Sequence, residues 1–121
     1  MTDRVKTVAF LKRKAGMSRA DFIAYYESRH APLMLSIAPQ IEAYRRNYLC
    51  EQDAIVAPGL QPPDFDVVTE LYYRDRAAFD AALAAFTSPD NAARIASDEE
   101  NLFDRSKTRF YVVEERASPL R

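Results

Sequence analysis

His30 is the one histidine of the sequence, and histidine is the side chain whose ordinary proton affinity lets it take up and release a proton near neutrality. It is therefore the candidate catalytic residue. Tyr26 lies one helical turn earlier, where a phenol can orient a substrate oxygen or simply pack. Arg46 and Tyr48 share a parity on a strand-like segment; together they can supply a phenolic proton donor and a fixed charge for an enolate or carboxylate. Asn47, between them, has the opposite parity, so only one of Asn47 and Tyr48 reaches a pocket under the helices. Tyr72 and its neighbour Tyr73 carry the same choice of faces. If Arg46 and Tyr48 face away from the helices they are interface residues instead. The alternative for His30 is structural: it bonds a carbonyl freed by Pro32 and fixes a kink.

Other chemistries lack their residues. Gly16 and Gly59 are the only glycines, too few for a phosphate-cradling loop or a dinucleotide fingerprint. His30 and the single cysteine, Cys50, offer at most two nitrogen or sulfur donors, so neither a metal nor any other cofactor is expected. Ser28 precedes His30 by two residues and points to another side of a helix, and no nucleophile elbow is present. Seventeen basic against eighteen acidic residues leave a net charge of -1, without the excess that a phosphate backbone requires. The first residues are charged, and the apolar run after them is broken by Lys12, Arg13 and Lys14, which is no export signal. Membrane-spanning length is not reached anywhere. Cys50 has no intramolecular partner and reads as a small buried packing residue, and a cytoplasmic location is expected.

The elements that must hold these side chains follow from pattern. Val5 to Lys14 is rich in β-formers and ends at a turn at Ala15-Gly16. Ser18 is an N-cap with Asp21 three residues on, and Met17 and Phe22 occupy the positions of a hydrophobic staple. Phe22, Tyr26, His30 and Leu33 then form one stripe, which should face a sheet. Pro32 would crowd the carbonyl of Ser28, so the helix should kink or loosen just after His30. Ile41 to Glu51 is a second strand, with Tyr44, Arg46, Tyr48 and Cys50 on one face. Residues 52–65, with Pro58-Gly59 and Pro62-Pro63, form an irregular connection. Asp66 to Arg74 is a third strand. A second helix from Asp75 buries Phe79, Ala82, Leu83 and Phe86, and Ser88 with Pro89 starts a short third helix to about Asn101. Lys107 to Glu115 is the last strand, and residues 116–121 are a tail.

The 121 residues, 48% hydrophobic and 29% charged, make one α+β domain with its core at about 5–115. Its order is β-α-β-β-α-β, the split arrangement of ferredoxin-like folds, with an antiparallel sheet and both main helices on one face. The first and last strands are apolar at both parities, Val8 and Phe10 against Ala9 and Leu11, Phe110 and Val112 against Tyr111 and Val113. Both faces therefore want cover, and a second copy of the sheet is the expected cover for the face without helices.

The run Phe10-Leu11-Lys12-Arg13-Lys14-Ala15-Gly16-Met17-Ser18-Arg19-Ala20-Asp21-Phe22, followed by Tyr25-Tyr26-Glu27-Ser28-Arg29-His30-Ala31-Pro32-Leu33, resembles the amino-terminal signature of the EthD family, and Arg46-Asn47-Tyr48 fits its second strand. The resemblance implies a dimeric α/β barrel: a homodimer whose sheets close face to face, with a pocket for a small organic molecule between helices and sheet in each subunit. His30 matches the histidine of the family's His-Ala-Pro motif. Many members carry histidine where this chain has Tyr48, so a mechanism requiring two histidines does not transfer. Three functions follow as expectations: a cofactor-free enzyme using His30 for proton transfer on a small cyclic or aromatic compound, by isomerisation, dehydration or oxygenation; a noncatalytic binding or accessory protein of an oxidative pathway; or a haem-binding barrel with His30 as axial ligand.

Overall fold

The computed structural model describes residues 4–120; residues 1–3 and the last residue of the tail lie outside them. Four strands form one antiparallel sheet in the order β2-β3-β1-β4, with β1 Val5–Leu11, β2 Ile41–Tyr48, β3 Val67–Tyr73 and β4 Arg109–Val113. This is the ferredoxin-like arrangement. Odd-numbered residues of β1 and β3 (Thr7, Ala9, Leu11, Val67, Thr69, Leu71, Tyr73) are buried under the helices, because strand side chains alternate faces.

The first helical stretch runs from α1, Arg19–Tyr25, through a π-turn, Tyr26–His30, into α2, Ala31–Ile37. Its start is as the sequence dictates: Ser18 Oγ accepts from the Asp21 amide at 3.1 Å. The expected break after His30 takes a different form. The Ala31 amide donates to the carbonyl of Tyr26, five residues back; the widened turn accommodates Pro32, whose ring would clash with the Ser28 carbonyl in a regular helix, and the chain stays helical beyond it.

α3, Arg76–Thr87, is capped by Asp75, whose carboxylate accepts from the Ala78 amide at 2.9 Å. α4, Pro89–Glu99, follows at once with Pro in its first turn. Phe22, Tyr26, Ala31, Leu102 and Phe103 pack on Ala9, Leu11 and Val67 as one core cluster; Phe79, Ala82 and Ala38 pack on Leu71 and Tyr73 as a second. Leu83 of α3, expected in the core, is 41% exposed, because the sheet and helices part beside it.

Strand two shows its helix-facing side. Tyr44, Arg46 and Tyr48 stand opposite Leu71, Thr69 and Val67 and so lie under the helices. A bulge between Ile41 and Ala43 brings Ile41 to the same side as Tyr44, and this explains the imperfect alternation of the segment. Pairing ends at Tyr48, so Cys50, expected to be buried, is instead an exposed free thiol. Among the described residues no helix is long and apolar enough to cross a membrane.

Candidate active site

The gap between sheet and helices encloses a cavity of about 300 Å³, at the small end of ligand pockets. Ala9, Leu11 and Leu71 form its floor, Leu83 and Phe86 of α3 and Ala92 and Ile95 of α4 its wall, and Met34 and Phe110 its sides. Its polar groups are His30, Tyr26, Tyr44, Thr69, Glu99, Arg105 and Thr108.

His30 is 2% exposed and edge-on to Tyr26 and Phe103 at ring separations of 5.2 and 5.3 Å. Its Nδ1 lies 2.8 Å from Asp98 Oδ2. An ionised carboxylate can only accept, so Nδ1 carries the proton and donates it, which leaves Nε2 of the neutral ring as an acceptor. Asp98 is held in turn: the Tyr25 hydroxyl donates to its other oxygen at 2.7 Å, and Asn101 Nδ2 donates to that hydroxyl at 3.2 Å. His30 Nε2 stands 3.6 Å from Glu99 Oε2, too far for a direct hydrogen bond. Burial raises the Glu99 carboxyl above its ordinary value, opposed by His30 and Arg105. A base held by Asp98 and a carboxyl pushed toward its acid form thus face one cavity, which is the separation that acid–base chemistry requires.

Beneath them runs a chain of hydroxyls. Tyr44 donates to the Tyr26 oxygen at 3.2 Å, and Tyr26 and Thr69 share a hydrogen bond of 2.8 Å. Burial raises both phenols above the usual tyrosine range, so they remain protonated donors. Such a chain can bind a ligand oxygen without ionising.

The other candidates are placed differently. Arg46 and Tyr48 are on the cavity's side of the sheet but engage Glu27: Arg46 Nε and Nη2 donate at 2.9 and 2.6 Å, and the Tyr48 hydroxyl at 2.5 Å. The Arg46 guanidinium holds the Glu27 carboxyl below the usual range. Tyr48 lines a separate cleft of about 420 Å³ with Arg13, Arg19, Phe22 and Cys50. That cleft is larger than the His30 cavity, and its lining includes the carboxyls of Glu51 and Asp66 but no histidine. Asn47 lies on the opposite sheet face, donating to Glu70 and to the Val68 carbonyl. Tyr72 is on that face too, its hydroxyl donating to Glu115 and its ring flanked by Arg4, Lys6 and Arg45. A strand residue of the wrong parity cannot reach across the sheet. Among the described residues no three His, Cys, Asp or Glu side chains are grouped to hold a metal.

Sequence reasoning passed over Asp98, Glu99, Arg105, Tyr44 and Thr69. A signal for the acids was present: Asp98, Glu99 and Glu100 crowd the carboxyl end of α4, where the helix dipole disfavours negative charge. Acids at such an end need another reason to be there.

The EthD domain matches residues 14–106, most of the chain. The protein belongs to the EthD family. No curated protein matches the sequence. Among solved structures it is similar to an EthD-family protein of Bacillus halodurans, at 20% identity over 93% of this chain and 99% of that one, with a TM-score of 0.61. It is similar to a variant of SnoaB, a cofactor-independent oxygenase of Streptomyces nogalater, at 17% identity over 96% of each chain and a TM-score of 0.61. It is also similar to a hydroxynitrile lyase of Passiflora edulis, at 20% identity over 98% of this chain and 100% of that one, with a TM-score of 0.56. At these identities the likeness is one of fold, so this EthD protein's reaction has to be argued from its own cavity.

Proposed function

We propose that this protein is a cofactor-free enzyme that binds a small cyclic or aromatic compound in the His30 cavity and moves a proton at a carbon next to an oxygen function. The observation that carries this reading is the pairing of a buried His30, fixed through Nδ1 by Asp98, with the Glu99 carboxyl beside it at 3.6 Å from Nε2. Nε2 removes the proton, the Tyr26 hydroxyl, which keeps its own proton free when it accepts from both Tyr44 and Thr69, holds the oxygen on which charge develops, and Glu99 is the second proton carrier. Isomerisation, dehydration and oxygenation of the resulting carbanion all begin with this step, and the oxygenase and lyase names among similar folds are in keeping with it. Haem ligation is disfavoured: both ring nitrogens of His30 face carboxylates, and a cavity of about 300 Å³ is small for a porphyrin.

The test is exchange of carbon-bound hydrogen. Cyclic ketones and phenolic ketones are incubated with the protein in D2O and followed by proton NMR. Exchange accelerated by the wild type and abolished in a folded His30→Ala variant supports the reading; acceleration that survives the substitution overturns it and returns His30 to a structural role.

We also propose that the working form is a homodimer closed through the sheet face that bears no helices. That face divides in two. Val8, Phe10, Phe65 and Tyr111 form an apolar half, with Phe10 edge-on to Phe65 and Tyr111 at 5.1 and 6.2 Å, and Tyr111 is 48% exposed. In the other half Lys6 pairs with Glu70 at 2.6 Å and Glu115 at 2.7 Å, so its charges are mutually satisfied and cost less to cover. Light scattering should report a dimer at micromolar concentration, converted to monomer by Phe10→Glu; a wild-type monomer refutes it.

A further inference from the structure

The cavity's lining contains one strongly basic side chain, Arg105, and the proton transfer uses only its Nε, through Glu99. It stands in the short turn Arg105–Lys107, whose start is fixed by Asp104 accepting from the Ser106 amide and hydroxyl. The guanidinium is tied at one corner only: Nε donates to Glu99 Oε1 at 3.2 Å. Nη1 and Nη2 have no acceptor among the described residues, and the side chain is about half exposed, at 49%. It therefore occupies the cavity's rim, oriented by Glu99 and with its terminal donor fork unspent. Apart from Thr108, the interior beyond it is apolar except at the His30 end.

We propose that Arg105 selects the ligand, taking a carboxylate at the rim while the ligand's ring fills the apolar interior. The inference rests on the small-molecule reading of this cavity and names the substrate class for it: a compact aromatic or cyclic carboxylic acid. The fork geometry suits a carboxylate's two oxygens, and Arg is the side chain that makes this pairing with two parallel hydrogen bonds. Glu99 does not compete for that edge, because it uses Nε through Oε1 and faces His30 through Oε2. A carboxylate held at the rim points the rest of the ring toward Nε2, so the group that anchors the ligand is distinct from the carbon that reacts.

The test compares 2-naphthoate with its uncharged isostere 2-naphthamide, titrated into wild-type protein, Arg105→Gln and Arg105→Lys, with binding read by naphthyl fluorescence and located by the methyl NMR signals of Ala92 and Ile95. A half-exposed cation gives a modest preference, about fivefold for the carboxylate at low salt. That ratio should fall to near one in Arg105→Gln and survive in part in Arg105→Lys, with both methyl signals shifting. Equal binding of the two ligands to wild type, with the methyls shifting, overturns the role of Arg105 and leaves the cavity reading standing. A preference that persists in Arg105→Gln also overturns it, by locating the anion elsewhere. If neither ligand moves the Ala92 and Ile95 signals, the cavity reading falls together with this one.

Discussion

Substitution of Asp98 separates what holds the fold from what sets the chemistry. In Asp98→Ala, the Nδ1–H of His30 loses its acceptor in a site where the ring is 2% exposed, while the Tyr25 hydroxyl can turn to solvent or to Asn101. The penalty is therefore that of one unsatisfied buried donor, about 1–3 kcal/mol. For a domain of this length that lowers the melting temperature by about 3–15 °C. Asp98→Asn behaves differently. The Tyr25 hydroxyl needs an acceptor at position 98, because it already receives from Asn101. With its oxygen turned to Tyr25, the new side-chain amide presents its NH2 to Nδ1, and every group is satisfied. The proton of His30 then sits on Nε2, facing Glu99, and the base is lost. Stability should fall by less than in the alanine variant, under about 1 kcal/mol, whereas carbon-hydrogen exchange should fall by about 100-fold or more. Circular-dichroism melts and exchange in D2O measure the two quantities on the same samples. Asparagine that destabilises as much as alanine, or that leaves exchange at the wild-type rate, refutes the tautomer argument.

The hydroxyl chain should reveal itself in a double-mutant cycle: Tyr26→Phe leaves Tyr44 and Thr69 without their partner and costs about 1–3 kcal/mol, but added to Thr69→Val it should cost less than the sum of the singles. Denaturant titrations that give additive losses within about 0.5 kcal/mol deny the coupling. Glu99 has a pH signature. Its carboxyl, raised by burial, keeps its proton in the folded state to higher pH than in the unfolded chain, so its contribution to stability declines as pH rises from the ordinary carboxylate range to the raised value. Across that window Glu99→Gln should gain stability relative to wild type, and a difference that stays flat or slopes the other way counts against the burial argument.

The parts of the fold that local chemistry dictates were legible in the sequence. Ser18, Asp75 and Pro89 mark helix starts by capping and by proline geometry, and the structure has helices starting beside each of them. His30 shares the sheet-facing stripe with Phe22 and Tyr26, as the spacing required. The facing of strand two was not legible, because aromatic and charged residues occur at both parities and only tertiary packing separates Tyr44, Arg46 and Tyr48 from Asn47. Cys50 was misread for a related reason: the period-two pattern does not say where pairing stops, and it stops at Tyr48. Asp98 and Glu99 are 68 and 69 residues from His30, and no local rule joins positions so far apart.

That separation has a consequence for how this site is built. In the proposed mechanism the base comes from the helix that the π-turn interrupts, in the part of the chain with the most recognisable motif. Everything that sets the state of the base comes from α4 and the turn after it: Asp98 chooses the tautomer, Glu99 supplies the opposing carboxyl, and Arg105 stands at the rim. α4 contributes little to the core, since none of its residues is fully buried. Asp98 apart, whose loss strands the buried Nδ1–H of His30, a helix with so little packing to lose can change its inward-facing residues at small cost to stability. The sheet and first helix would then supply a fixed proton acceptor, while α4 determines which proton it takes and from what ligand.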